Sequence, residues 1–155
     1  MTVLSPRRLF RVAATAEMVT WAVLILAMVL KYFGVTDTLM PFGGGLHGFV
    51  FLCYVVVVLA VWIDSGWSAV RGLLALGSAV IPFATVPFER AMIKRDTPHT
   101  RWRVLETTTA SRSGAERLLR AVLARPLLSA GVALVAVVVV FVVLLNAGPP
   151  TEWGS

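Results

Sequence analysis

Glu17 is the residue most out of place in this chain. It stands five residues into an apolar run from Val12 to Leu30, with Trp21 one helical turn further along the same face. An ionisable group inside such a run is expensive and is a functional candidate by default. Arg71 lies a similar distance inside another apolar run, and Asp64 sits in the short break between two runs. In an antiparallel helical bundle these three fall at one depth, so the spacing predicts a Glu17–Arg71 pair or a network that includes Asp64. Such a network would either staple the register of the helices or line a transport path, and the staple is the simpler reading. Asp64 read alone is a turn residue.

His47 is the second candidate. It lies between Gly44-Gly45 and Gly48 and is expected at the opposite level from Glu17, near Lys31, Tyr32, Glu89 and Arg90. An imidazole there could carry a proton, contact an anion or lipid headgroup, or serve as an axial metal ligand. It could equally be an interfacial histidine bonded to a backbone carbonyl. Haem generally takes two axial ligands, and the other histidine, His99, falls in a polar stretch, so a bis-histidine site would need a symmetric dimer. No catalytic set is visible. Gly43-Gly44-Gly45 lacks the Lys-Ser/Thr ending of a phosphate-binding loop, no Cys/His group has zinc spacing, and Ser65 and Ser68 have no neighbouring base. The expectation is a protein that is not an enzyme and needs no cofactor.

The elements that must position these residues are apolar helices. The 155 residues are 58% apolar and 14% charged, with a mean hydropathy of +0.85. A soluble domain of this length has too little interior to hide that much apolar surface. The fold class expected is all-α: a polytopic transmembrane bundle of about four hydrophobic segments. They are Val12–Leu30, Phe49–Ile63 completed upstream through Phe42–Gly48, Gly72–Phe88, and Pro126–Leu145. Pro41 to Gly45 reads as the turn that opens the second. Asp64-Ser65-Gly66 reads as a tight hairpin. Pro82 and Pro87 predict that the third is kinked or partly re-entrant. Gly44, Gly48, Gly72 and Gly77 are candidate positions for close helix approach. Arg7, Arg8 and Arg11 before the first run resemble a signal peptide, but the run is long, carries Glu17 and lacks a small-x-small cleavage site, so it reads as a retained span.

Four regions follow: a membrane core over 1–95, a basic polar linker over 96–125, a C-terminal membrane helix over 126–146 and a tail over 147–155. Within the linker, Ser113 and Glu116 have capping-box spacing. Arg117, Arg120 and Arg125 alternate with leucines, as in a short amphipathic helix on anionic headgroups across 112–125. The net charge of +6 flanks the apolar runs, which points to a membrane surface and not to nucleic acid. Four full spans would divide the Lys/Arg residues ten to four in favour of the face holding 89–125. That places this segment in the cytoplasm, yet the arginines before the first run argue for a cytoplasmic N-terminus as well. A third segment that re-enters would satisfy both.

Three blocks also resemble a bacterial family of small integral membrane proteins, domain of unknown function 3817, over residues 7 to about 95. The first is Phe10-Arg11-Val12-Ala13 with Glu17, Trp21, Met28, Lys31 and Tyr32. The second runs from Gly44-Gly45-Leu46-His47-Gly48-Phe49-Val50-Phe51 to Tyr54. The third is Trp67-Ser68, Ile81-Pro82-Phe83 and Phe88-Glu89-Arg90. The resemblance implies a membrane core of about three helices, sometimes attached to larger transporters, with no established activity. The turn at 64–66 departs from it by lacking basic residues, and the fourth run lies outside it. The functional expectation is an accessory or scaffold subunit of the bacterial plasma membrane, packing with itself as a homo-oligomer or with a larger membrane protein. The alternatives are a small oligomeric channel or proton-coupled transporter using Glu17, Arg71 and His47, and a haem- or quinone-binding redox subunit.

Overall fold

A computed structural model describes residues 4–106 and 113–147. Its elements are α1 (Pro6–Tyr32), α2 (Leu39–Ser65), α3 (Ala69–Ser78), α4 (Thr85–Lys94), α5 (Arg103–Glu106), α6 (Gly114–Ala124) and α7 (Pro126–Ala147), with no strand among the described residues. Three of them, α1, α2 and α7, are long and apolar enough to cross a membrane.

Local chemistry sets where these helices begin and end. The Ser5 hydroxyl accepts from the Arg8 N–H and Pro6 opens α1, so the helix starts six residues before the apolar run does. At 27 residues each, α1 and α2 extend about 40 Å, beyond a hydrocarbon core of about 30 Å. The segment Pro41 to Gly45 is not a turn. It lies inside α2, which begins at Leu39, and proline is tolerated there because the first turn of a helix has no intrahelical acceptor for its N–H groups. Gly66, at φ 60°, ends α2 in the left-handed conformation, and Ser68 caps α3 two residues later. The expected capping box at Ser113 and Glu116 is present and starts α6.

The third apolar segment does not form a span. It divides into α3 and α4, each ten residues or about 15 Å long, around a turn in which Phe83 has a positive φ of 64°. The two helices form a hairpin whose arms both start from the α1 N-terminal end of the bundle. Four contacts from α1, two of them to α4 itself and one to the segment at each end of it, fix the direction of the hairpin. The Arg7 guanidinium donates to Asp96 at 2.6 Å, and that of Arg11 to Glu89 at 3.0 Å. The Thr85 hydroxyl donates to the Ala14 carbonyl at 2.8 Å, and the Trp21 indole N–H to the Ala79 carbonyl at 2.9 Å. A bond of 2.6 Å from the Trp67 indole to the Thr97 hydroxyl closes the open end.

The main core lies between α1, α2 and this hairpin: Phe10, Ala14, Tyr54, Val58, Val61, Trp67, Ala75, Ala79 and Met92. Lipid tails offer little hydrophobic advantage to helix association, so close approach and interhelical hydrogen bonds must hold these elements. Gly72 is packed so tightly on Trp62 that an added Cβ would fall within the indole ring. Gly43 supplies the close approach of α1 and α2, where a Cβ would stand 3.2 Å from that of Ala27. A Cβ on Gly48 would touch Phe141 of α7 at 3.5 Å, whereas Gly44 and Gly77 face open space.

The stretch from 96 to 106 is not a free linker. The Trp102 indole donates to the Leu4 carbonyl at 2.8 Å, and Trp102, Val104 and Leu119 form a second small core against Leu9, Ala60, Ile63 and Leu123.

Candidate functional site

The two halves of the polar α1 surface do different work. Near the helix start, Arg7 and Arg11 hold α4. Deeper in, Glu17, Thr20 and Trp21 share a face with one-turn spacing and meet α2 and the hairpin tip. Glu17 is completely buried, and neither carboxylate oxygen has a hydrogen-bond partner. The nearest opposite group is the His47 imidazole, with Nδ1 3.8 Å from Oε1 of Glu17. That separation is beyond a direct hydrogen bond but within strong electrostatic reach in a low-dielectric interior.

His47 is held on two sides. Its Nδ1 lies 3.2 Å from the Thr20 hydroxyl, which donates to the Glu17 backbone carbonyl at 3.0 Å. A proton on Nδ1 therefore satisfies the whole chain: imidazole to hydroxyl, hydroxyl to carbonyl. The Trp21 ring covers the imidazole, with centroids 4.4 Å apart and planes inclined by 52°. Since the same indole bonds Ala79, one residue joins His47 to the hairpin tip. Two turns further along α2, Tyr54 is fully buried and donates to the Ala75 carbonyl at 3.1 Å, beside the Ser78 hydroxyl, also at 3.1 Å.

The structure does not join Glu17 to Arg71 or Asp64. Because α1 starts at Pro6, Glu17 is eleven residues, or about 17 Å, along the helix. Arg71 is the third residue of α3 and Asp64 the second-last of α2, both at the end of the bundle. His47 is likewise not at the opposite level from Glu17. With α2 starting at Leu39, it lies about 12 Å into the helix and comes alongside Glu17. Nor does it gather the neighbours expected for it. Lys31 and Tyr32 are exposed in the last turn of α1, and Arg90 is exposed on α4. Glu89 is buried but faces Arg11 at the other end, because the hairpin turns back.

Asp64 is fully buried, which its place in a turn does not suggest. Its Oδ1 accepts the Val104 N–H at 3.0 Å. Arg103 donates to the Asp64 carbonyl at 2.6 Å and also reaches the Ile63 carbonyl and the Glu116 carboxylate. The arginine thus caps the C-terminus of α2 and ties α5 and α6 to it. Sequence reasoning passed over Thr20, Ser78 and Arg103, and named Tyr54 only as part of a resemblance. Only Thr20 left a readable signal, being one turn from Glu17. Among the described residues no group of three or more His, Cys, Asp or Glu could hold a metal ion.

The comparisons with known proteins agree with this architecture. The family model described as "Domain of unknown function (DUF3817)" matches residues 7–94, which hold α1 to α4, and the chain belongs to that family. A curated Streptomyces coelicolor protein named as a membrane protein is 40% identical over 84 residues, covering 53% of this chain. The chain spans about 10% of the length of that relative. No solved structure matches.

Proposed function

We propose that this chain is a multi-pass module of the bacterial plasma membrane that acts as an accessory or scaffold subunit, packing against itself or a larger membrane protein and carrying out no catalysis. One observation carries the reading. In the Streptomyces coelicolor relative the matched segment is a tenth of a much longer membrane protein, as a module that works beside a larger partner would be. The outer surface is consistent with such packing: Val137 is the one residue of α7 buried within the described chain, and α1 and α2 also turn broad apolar faces outward.

In a bilayer, α3 and α4 are a re-entrant hairpin and α1, α2 and α7 are the spans. This arrangement removes the conflict in the charge distribution. Lys31 is the one described cation at the end where α1 passes to α2. Arg7, Arg8, Arg11, Arg71 and the described cations of 90–125 gather at the opposite end. That end is cytoplasmic by the positive-inside rule, so the N-terminus is cytoplasmic too. There α6 lays Arg117, Arg120 and Arg125 at headgroup level. Beside it, an apolar groove of about 640 Å³ between α2, α6 and α7, lined by Val56, Ala60, Leu119, Leu123 and Ala130, suits an acyl chain.

The test is purification of the full chain from its native membrane in mild detergent, with the stoichiometry of whatever accompanies it. A fixed ratio to itself or to a larger membrane protein is expected, and a lone monomer overturns the reading. Single cysteines at positions 37, 68 and 95 in a Cys53→Ser background test the topology. Only position 37 should react with an impermeant thiol reagent on intact cells. Labelling of position 95 but not 68 would restore a full third crossing.

A further inference from the structure

We propose that Glu17 and His47 form a buried site for a single proton, linked through Trp21 to the position of the α3–α4 hairpin tip. An unpaired charge in this interior is costly, and among the described residues neither carboxylate oxygen of Glu17 has a partner in hydrogen-bond geometry, the Thr20 hydroxyl beside it being turned to the Glu17 backbone carbonyl. Two arrangements leave the pair neutral: a protonated carboxyl beside a neutral imidazole, or a carboxylate beside an imidazolium. Both hold one proton. Losing it leaves a net negative charge in the core, and gaining a second leaves a net positive one. The proton is therefore a ligand of the pair and belongs to neither residue alone.

The other groups around the pair do not replace it. From α2, the Tyr54 hydroxyl is engaged with Ala75 and Ser78. From α4, Glu89 is matched by Arg11 of α1, and Thr85 is bonded to Ala14. From α3, the facing group is the Ser78 hydroxyl, which donates to Ala75 at 2.7 Å. Among the described residues no guanidinium or ammonium is paired with Glu17, and the nearest group able to oppose its charge is His47. The imidazole side chain is 13% exposed while that of Glu17 is fully buried, so the open side of the pair lies at His47. The link to the hairpin is geometric. Trp21 lies against the imidazole and holds the Ala79 carbonyl, where α3 ends. A change of charge on His47 alters its contact with the indole face, since an imidazolium is drawn to a π-system more strongly than a neutral ring. The indole transmits that change to its bond with Ala79. This inference is independent of the accessory reading and stands or falls separately from it.

The experiment uses the full chain in bilayer discs of mixed zwitterionic and anionic phospholipid. The ¹⁵N resonances of His47, the infrared carboxyl band and the Trp21 indole signal are followed against pH. His47→Gln, Glu17→Gln and Trp21→Phe identify the three signals. One shared protonation step is expected in all three. In Glu17→Gln the proton affinity of His47 should fall about tenfold or more, as expected of groups coupled by at least one pK unit. Identical His47 titration with and without the Glu17 carboxyl overturns the shared site. So does the absence of any step in the intact protein. An indole signal that stays constant through the step overturns the link to the hairpin. If Glu17→Gln fails to fold, the three signals of the intact protein still decide whether they move together.

Discussion

Asp64 and Glu17 are both carboxylates with no solvent exposure, yet their surroundings differ in kind. Asp64 lies where α2 ends, with a backbone N–H aimed at Oδ1 and the Arg103 guanidinium against its own carbonyl, so that of its carboxylate oxygens Oδ2 alone is without a partner among the described residues. Glu17 lies mid-helix, where every backbone N–H is already spent on the helix, and none of the described residues donates to its side chain. The free carbonyls at the C-terminus of α2 take the Arg103 guanidinium and an unspent N–H in the first turn of α5 takes the Asp64 carboxylate, whereas a helix middle leaves neither kind of group free. The first environment builds structure. The second keeps a carboxyl group available for exchange.

That contrast can be broken by substitution. Asp64→Ala should produce the largest loss, about 1–3 kcal/mol, because it strands the buried Val104 N–H. Reversible unfolding in micelles should show the loss, and amide hydrogen exchange should place it at 103–106. Stability equal to that of the parent would remove the structural role claimed for Asp64. Tyr54→Phe should cost less, about 0.6 kcal/mol, the average of an interhelical side-chain hydrogen bond in a membrane, with faster exchange in α3. Glu17→Gln should have the smallest effect on the unfolding midpoint, below that of Tyr54→Phe, since no hydrogen bond to the carboxylate is lost and no backbone group is stranded. A destabilisation as large as that of Asp64→Ala would show that Glu17 is a structural group after all, and the two carboxylates would then be alike.

The same two residues show how far the sequence could be read. Glu17 stood out because an acid inside an apolar run is conspicuous in one dimension. Its partner did not, because partner choice depends on helix starts, and two of these were placed several residues too late. Ser5 with Pro6 set the start of α1, and Leu39 that of α2, so the levels of Glu17 and His47 converged. Asp64 was underrated for a related reason. Next to a glycine it has the local pattern of a turn, and nothing nearby signals that Val104 and Arg103, about 40 residues on, return to bury it. Glycine roles behaved similarly. Gly72 and Gly48 do meet neighbouring rings, but the close approach between α1 and α2 falls on Gly43 and not on Gly44, a distinction of 100° around the helix that composition does not resolve.

Composition and hydropathy alone determined that this chain is a helical membrane protein, because burying so many apolar side chains within 155 residues in water is not possible. Residue spacing also marked the proline-broken third segment as unlike the others and the capping box at Ser113 as a helix start. Tertiary structure decided the rest. The run that could have crossed the membrane folds back as a hairpin, because Arg7, Arg11, Ala14 and Trp21 offer a continuous series of partners along α1. Glu17 meets His47 because two long antiparallel helices bring their middles together, and that register is set by contacts far apart in the chain.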